Sequence, residues 1–160
     1  METTKKLFVH SIIILLISCS PSESNQSRQS ENFDIQHVRK HIDKANKVYG
    51  ERFLHDEPEW YSERYCADAC AMPENRSAVC GIENIKDYYY NAGYNKELTL
   101  EIVATEVYGS PEIVMEEGTY SFPDNQGGSY DQGKFIALWK NDNGAWKIYR
   151  EIWNSNVPKE

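Results

Sequence analysis

Glu116, Gly118 and Tyr120 stand at alternate positions, which in a strand places all three on one face. A carboxylate held beside a phenol in an apolar setting is the pairing that general acid–base chemistry needs, one group taking a proton and the other donating to a developing oxyanion. Glu117 is the immediate neighbour of Glu116, so in a regular strand one of the two glutamates faces solvent. His37 and His41 are i and i+4, a spacing that can bring two imidazoles onto one metal, but a third ligand is missing and Lys40 and Lys44 repel a cation, so an exposed helix face is the expectation and no metal is assigned. Cys66 and Cys70 repeat that spacing and suit a metal or redox pair only if both lie on a helix. A nucleophilic cysteine needs a histidine or a helix N-terminus to lower its pKa, and no histidine is near. His55, beside Asp56 and Glu57, reads as a loop histidine. The chain has no Gly-rich phosphate loop and no Gly-x-Ser-x-Gly elbow, so the hydrolase templates are unmatched and no cofactor is expected.

The elements that must position these residues change period halfway along the chain. Ile35, Val38, Ile42, Ala45, Tyr49 and Phe53 recur at spacings of three and four, one face of a helix over Ile35–Phe53, capped by Asn32 or Asp34. Gly50 weakens its last turns. Trp60–Tyr65, after Pro58, predicts a short second helix, and Ile82, Ile85 and Tyr89 a third over Ile82–Asn91 between two glycines. From Leu98 the apolar residues alternate. Four strands are expected: Leu98–Tyr108, Ile113–Phe122, Phe135–Lys140 and Trp146–Trp153. The last two are joined across an Asn143-Gly144 pair, the strongest hairpin signal in the chain. Pro123–Gly133, rich in Gly, Asn, Asp and Gln, reads as a mobile loop. Helices followed by hairpin-linked strands predict an α+β domain with a mainly antiparallel sheet, one face of which buries the first helix.

The N-terminus carries an address. Lys5 and Lys6 precede an apolar run from Leu7 to Ile17, too short for a bilayer span and shaped like a secretion signal. It ends in Leu16-Ile17-Ser18-Cys19, which resembles the bacterial lipobox, in which the cysteine sulfur is acylated and the residues before it are removed. Residues 1–18 are therefore read as a lipoprotein signal peptide and Cys19 as the lipidation site, with more than one acyl chain holding the mature protein on a membrane. Ser20–Glu31, polar and Ser-rich, reads as a flexible linker, so 19–31 is the anchored tether and 32–158 the folded domain. Ser20 is not the aspartate associated with inner-membrane retention, so the expected location is the bacterial cell envelope, at the periplasmic side of the outer membrane.

With 160 residues there is room for one domain, and 40% hydrophobic residues, 12% of the chain being aromatic, supply a core and exclude wholesale disorder. A formal charge of −8, from 17 basic and 25 acidic residues, argues against nucleic acid or an anionic membrane surface as the partner.

Tyr65, Asp68, Ala69, Met72 and Pro73, followed by Gly81 and Ile85, resemble the signature of SnoaL-like and ketosteroid isomerase-like proteins of the nuclear transport factor 2-like superfamily. Gly118 and Tyr120, then Gly133, Lys134 and Trp139, then Gly144, Trp146, Ile148 and Asn154 resemble its three closing strands, so that the likeness runs from Ile35 to Pro158. It implies a cone: a strongly curved sheet wrapped around the long N-terminal helix, with two short helices and an apolar pocket on the concave side. Isomerases of that superfamily use a carboxylate base and an acidic donor, which by resemblance puts Glu116 in the first role and Tyr49 or Tyr120 in the second. Its epoxide hydrolases use an Asp-Arg-Asp cluster, which Arg150 with Asp68 or Glu151 could imitate, but Arg150 and Glu151 face opposite ways in a regular strand and a structural salt bridge accounts for either.

The pocket so implied is expected to be lined by Tyr49, Tyr65, Met72, Tyr89, Trp139 and Trp153, with Asn46 and Asn154 as polar handles at its two ends. The same pattern puts Cys70 on a strand and favours a Cys70–Cys80 bridge around Pro73, three reduced and buried thiols being the alternative. Two functions from different classes follow. The first is a lipid-anchored module binding a small apolar or aromatic molecule; the second is an isomerase, cyclase or hydratase using Glu116. A homodimer through the outer sheet face is a further expectation.

Overall fold

The computed structural model describes residues 33–53, 58–91, 98–124 and 126–158. The signal peptide, Cys19, the linker, Asn32 and His55 lie outside them. Helix α1 (Ile35–Arg52) starts where Asp34 accepts the Gln36 backbone N–H at 2.9 Å and ends where the Phe53 N–H returns to the Tyr49 carbonyl. Its buried stripe is Val38, Ile42, Asn46 and Tyr49, a helical spacing with one polar member. A 3₁₀ turn (Pro58–Trp60) runs into α2 (Tyr61–Arg64), and Tyr65, expected to close that helix, already opens strand β1 (Tyr65–Met72). After β2 (Val79–Cys80), α3 spans Ile82–Tyr90 and buries Ile85 and Tyr89.

Strands β3 (Glu101–Gly109), β4 (Ile113–Pro123), β5 (Ser129–Asp142) and β6 (Ala145–Ser155) complete a six-stranded sheet of order β2-β1-β6-β5-β4-β3. Every pairing is antiparallel except β1 with β6, so the curved, open sheet is mixed. The β5–β6 hairpin closes on the expected pair, with Asn143 and Gly144 both at positive φ (54° and 92°), the backbone a two-residue hairpin turn requires. β5 begins earlier than its composition suggested: Asp131, Gln132 and Gly133 pair with Phe122, Ser121 and Tyr120, shortening the expected loop. At Gly133 an added Cβ would fall 2.5 Å from the Tyr120 ring, so the missing side chain is what lets that ring lie on the strand. Cys70 and Cys80, register partners of β1 and β2, are joined by a disulfide, while Cys66 is a buried free thiol whose pKa burial raises.

Two irregularities bend the sheet around α1 and reset which side chains face it. In β6, Ile148 pairs with Trp139 and Arg150 with Leu138, leaving Tyr149 as an extra residue. Without it Ile148, Arg150 and Ile152 would share the inner face. With it, Glu151 stands opposite the buried Ala137, and Trp153 opposite Phe135, on the inner side. In β3 a shift between Ala104 and Glu106 does the same, returning Val107 to the side of Glu116. The core lies between α1 and this concave face, with Trp139, Tyr65, Ile42, Ile85 and Ile148 wholly enclosed.

Candidate functional site

A cavity of about 120 Å³ opens inside the cone. Tyr49 and Phe53 come to it from α1, Tyr89 from α3, Ile102 from β3, Tyr120 and Phe122 from β4, Phe135 from β5 and Trp153 from β6. The rings pack on one another: Tyr89 stacks on Tyr61 at 5.0 Å and lies 6.3 Å from Trp153, while Phe53 meets Tyr89 edge-on at 5.7 Å. Two carboxyl groups and a guanidinium interrupt the wall of rings: Glu151, Asp131 and Arg64.

Glu151, on β6 just beyond the bulge, is half-buried. Its Oε1 accepts the hydroxyls of Tyr65 at 2.7 Å and Tyr89 at 2.9 Å, and Oε2 has no donor among the described residues. Burial raises its pKa; the Arg64 guanidinium and the two phenol bonds oppose that without cancelling it. The phenols of Tyr49, Tyr65 and Tyr89 are pushed well above their ordinary value, first by burial, so all three stay protonated as donors. Asp131, also in the cavity wall, accepts Tyr120 at 3.2 Å and Ser155 at 2.5 Å.

Glu116 does face inward and is fully enclosed, but it is not part of the cavity wall. Asn46 Nδ2 donates to its Oε1 at 2.5 Å and Trp139 Nε1 to its Oε2 at 2.7 Å, so both oxygens already hold a protein donor. Arg64 joins the same network through Nη2 to Asn46 Oδ1 (3.0 Å) and Nη1 to the Ala45 carbonyl (3.1 Å), its guanidinium lying 4.2 Å from the Tyr49 ring centre. Burial raises the Glu116 pKa against the pull of Arg64, Asn46 and Trp139. This is a buried polar core in which both Glu116 oxygens are satisfied, the glutamate and an arginine bridged by an asparagine, with a tryptophan as clamp, while Arg64 Nε has no acceptor among the described residues.

Of the residues expected to line the pocket, Tyr49, Tyr89 and Trp153 are in the cavity wall, and so is Tyr120, which was expected as an oxyanion donor. Tyr65 lies beneath the wall and reaches it through Glu151. Asn46 and Trp139 belong to the Glu116 network instead. Met72 and Asn154 do not line the cavity, because their register partners, the exposed Ile152 and Lys134, put them on the outer face. Arg150 points outward too, bonding the Asp68 carbonyl at 3.0 Å and covering Tyr149. Glu151, Arg64 and Asp131 escaped the sequence reading as pocket residues. The bulge at Tyr149 hides the first, the helix-to-strand junction the second, and the loop-like composition around Asp131 the third. His37 and His41 are both exposed on α1, and no group of three or more metal-ligating side chains occurs among the described residues.

No family model and no curated protein matches the chain. Solved structures do. An NTF2-like superfamily protein from Salmonella enterica is 11% identical, covering 79% of this chain and 96% of its own at a TM-score of 0.62. A ketosteroid isomerase-like protein from Erwinia carotovora is 16% identical over 79% of this chain and 99% of its own, TM-score 0.61. A protein of unknown function with a cystatin-like fold from Nostoc punctiforme is 9% identical over 78% and 93%, TM-score 0.65. The chain has the NTF2-like, ketosteroid isomerase-like cone fold.

Proposed function

We propose that this chain is a lipid-anchored bacterial envelope protein of the SnoaL-like branch whose cone cavity binds a small aromatic or apolar molecule. The observation that carries the reading is the cavity wall: rings on most sides and a single carboxylate oxygen, Glu151 Oε2, open to a ligand. A volume of about 120 Å³ is close to the ~150 Å³ apolar cavity that accepts benzene, so the buried part of the ligand is one ring. A hydroxyl or amine on that ring donates to Glu151. Support for anchoring is the apolar run Leu7–Ile17 ending in the Leu16–Cys19 motif, and the acidic charge makes the membrane a tether rather than a docking surface. A second copy is the proposed protein partner: Ile136 and Ile152, paired across β5 and β6, are 40% and 51% exposed on the outer face.

The test is expression of the full chain in a bacterial host with labelled palmitate, followed by native mass spectrometry of the membrane fraction. Expected are label on the wild type and none on Cys19→Ser, and one small-molecule adduct per chain. A soluble, unlabelled wild type would remove the anchor, and a bare mass after exposure to a library of phenols and anilines would remove the binding reading.

A second reading, proton transfer of the isomerase, cyclase or hydratase type, draws on Glu151 rather than Glu116. Of the two carboxylates in the cavity wall, Glu151 and Asp131, Glu151 has an oxygen without a donor among the described residues, burial raises its proton affinity, and two phenols hold it in place. Turnover of a cyclic ketone or lactone that survives Glu116→Gln but not Glu151→Gln would establish it; turnover that survives both would exclude it.

A further inference from the structure

A second concavity, about 260 Å³, lies between α1, the Pro58–Arg64 segment and the end of the β5–β6 hairpin. It shares only Arg64 with the cone cavity. Three indoles, Trp60, Trp139 and Trp146, stand in its wall beside His41, Ala45 and Val48. We propose that this cleft is a separate binding site for a small monoanion with an apolar body, a carboxylate on a short aryl-alkyl chain.

Two independent observations define that chemistry. The charged groups at the cleft are Lys44, Arg52 and Arg64 against Glu63 alone, and Glu63 is already engaged with Arg52 at 3.5 Å. A cationic ligand meets repulsion there and an anion does not. Arg52 also covers the Trp60 ring at 4.9 Å, whereas Lys44 is exposed and forms no ion pair among the described residues. The second observation is a deficit of acceptors. Trp60 Nε1 and Arg64 Nε are buried N–H donors without an acceptor among the described residues, and both residues line this cleft. Trp60 is 6% exposed and Arg64 9%. Buried donors in native structures have partners with few exceptions, and each exception carries the desolvation cost of an unmade bond. A carboxylate supplies two acceptor oxygens and the negative charge the rim favours, while the indoles take the apolar body. The volume falls just short of the ~300–1,000 Å³ of drug-sized pockets, which fits one ring and a two- or three-carbon arm.

The four tryptophans make the site separately readable, since Trp60 lines only this cleft and Trp153 only the cone. The full chain, ¹⁵N-labelled, is titrated with 3-phenylpropionate while the indole N–H resonances, assigned by single Trp→Phe variants, are followed. The expected result is a saturable shift at Trp60 with Trp153 unmoved. The uncharged 3-phenylpropanamide is expected to bind at least tenfold more weakly, as is the carboxylate to Lys44→Glu, a substitution at an exposed position that leaves the wild-type indole pattern in place. A Trp60 resonance that does not move, an amide that binds as well as the acid, or a Lys44→Glu affinity equal to wild type would overturn the proposal. Failure of the cone reading is a different result, an unmoved Trp153 with phenols, and neither outcome decides the other.

Discussion

Glu116 and Glu151 occupy the same concave face and differ in what donates to them. Both oxygens of Glu116 hold a neutral N–H donor, from Asn46 and Trp139. Glutamine offers one carbonyl oxygen and an NH₂, so Glu116→Gln sets an N–H against an N–H in a dry site. The expected loss is about 1–3 kcal/mol in urea denaturation, with ligand binding to the folded variant unchanged. Glu151 is read through pH. Burial raises its folded pKa above the unfolded value near 4.5, so the native state holds the proton more tightly. That contribution to stability is complete below the unfolded pKa and is lost as pH rises through the folded one. Glu151→Gln keeps the neutral form throughout. The melting temperature of the variant minus that of wild type is therefore expected to become more positive from about pH 4 to 8, and a difference independent of pH contradicts the shift. At this scale the sequence was informative where strands are regular: alternation required one of Glu116 and Glu117 to face solvent without saying which, and the fold turns Glu117 out and Glu116 in. The same alternation failed for Glu151, because the extra residue at Tyr149 is a property of the curved sheet rather than of local pattern.

Helix α1 shows how an element is adjusted to its neighbours. Glycine in a helix costs about 1 kcal/mol relative to alanine, so Gly50→Ala would stabilise an isolated α1. Here an added Cβ falls 2.3 Å from the Leu100 carbonyl oxygen, a backbone atom that cannot swing away. Gly50→Ala is therefore expected to destabilise by roughly 1–3 kcal/mol, measured by thermal or urea unfolding; a gain in stability would mean that the approach of Leu100 to the helix is looser than described. The bounds of α1 and α3 and the Asn143-Gly144 hairpin were legible from periodicity and turn chemistry, which act over a few residues. The early start of β5 was not. Asp131–Gly133 have turn composition and are strand because β4 offers partners. Nor was the parallel pairing of β1 with β6, which joins residues some eighty positions apart in the chain.

At the scale of the whole molecule, curvature produces the function proposed. A flat sheet would press its inner face against α1 and leave no space; the bulged sheet holds an aromatic-walled cavity with Glu151 and Arg64 in its wall. The α+β class was legible because helix, turn and strand signals agreed, and the cone only through the family resemblance, whereas the chemistry of the cavity was not, since this fold fixes a container and not its contents. The function proposed requires the cavity to take one small ring. The most direct measurement is a titration of the ¹⁵N-labelled full chain with phenol, following the Trp153 indole in wild type and in Ile102→Phe, which fills the cavity from β3. A saturable Trp153 shift at one phenol per chain is expected, weakened at least tenfold in Ile102→Phe. A Trp153 resonance that does not saturate, or that responds equally in the filled variant, would contradict it.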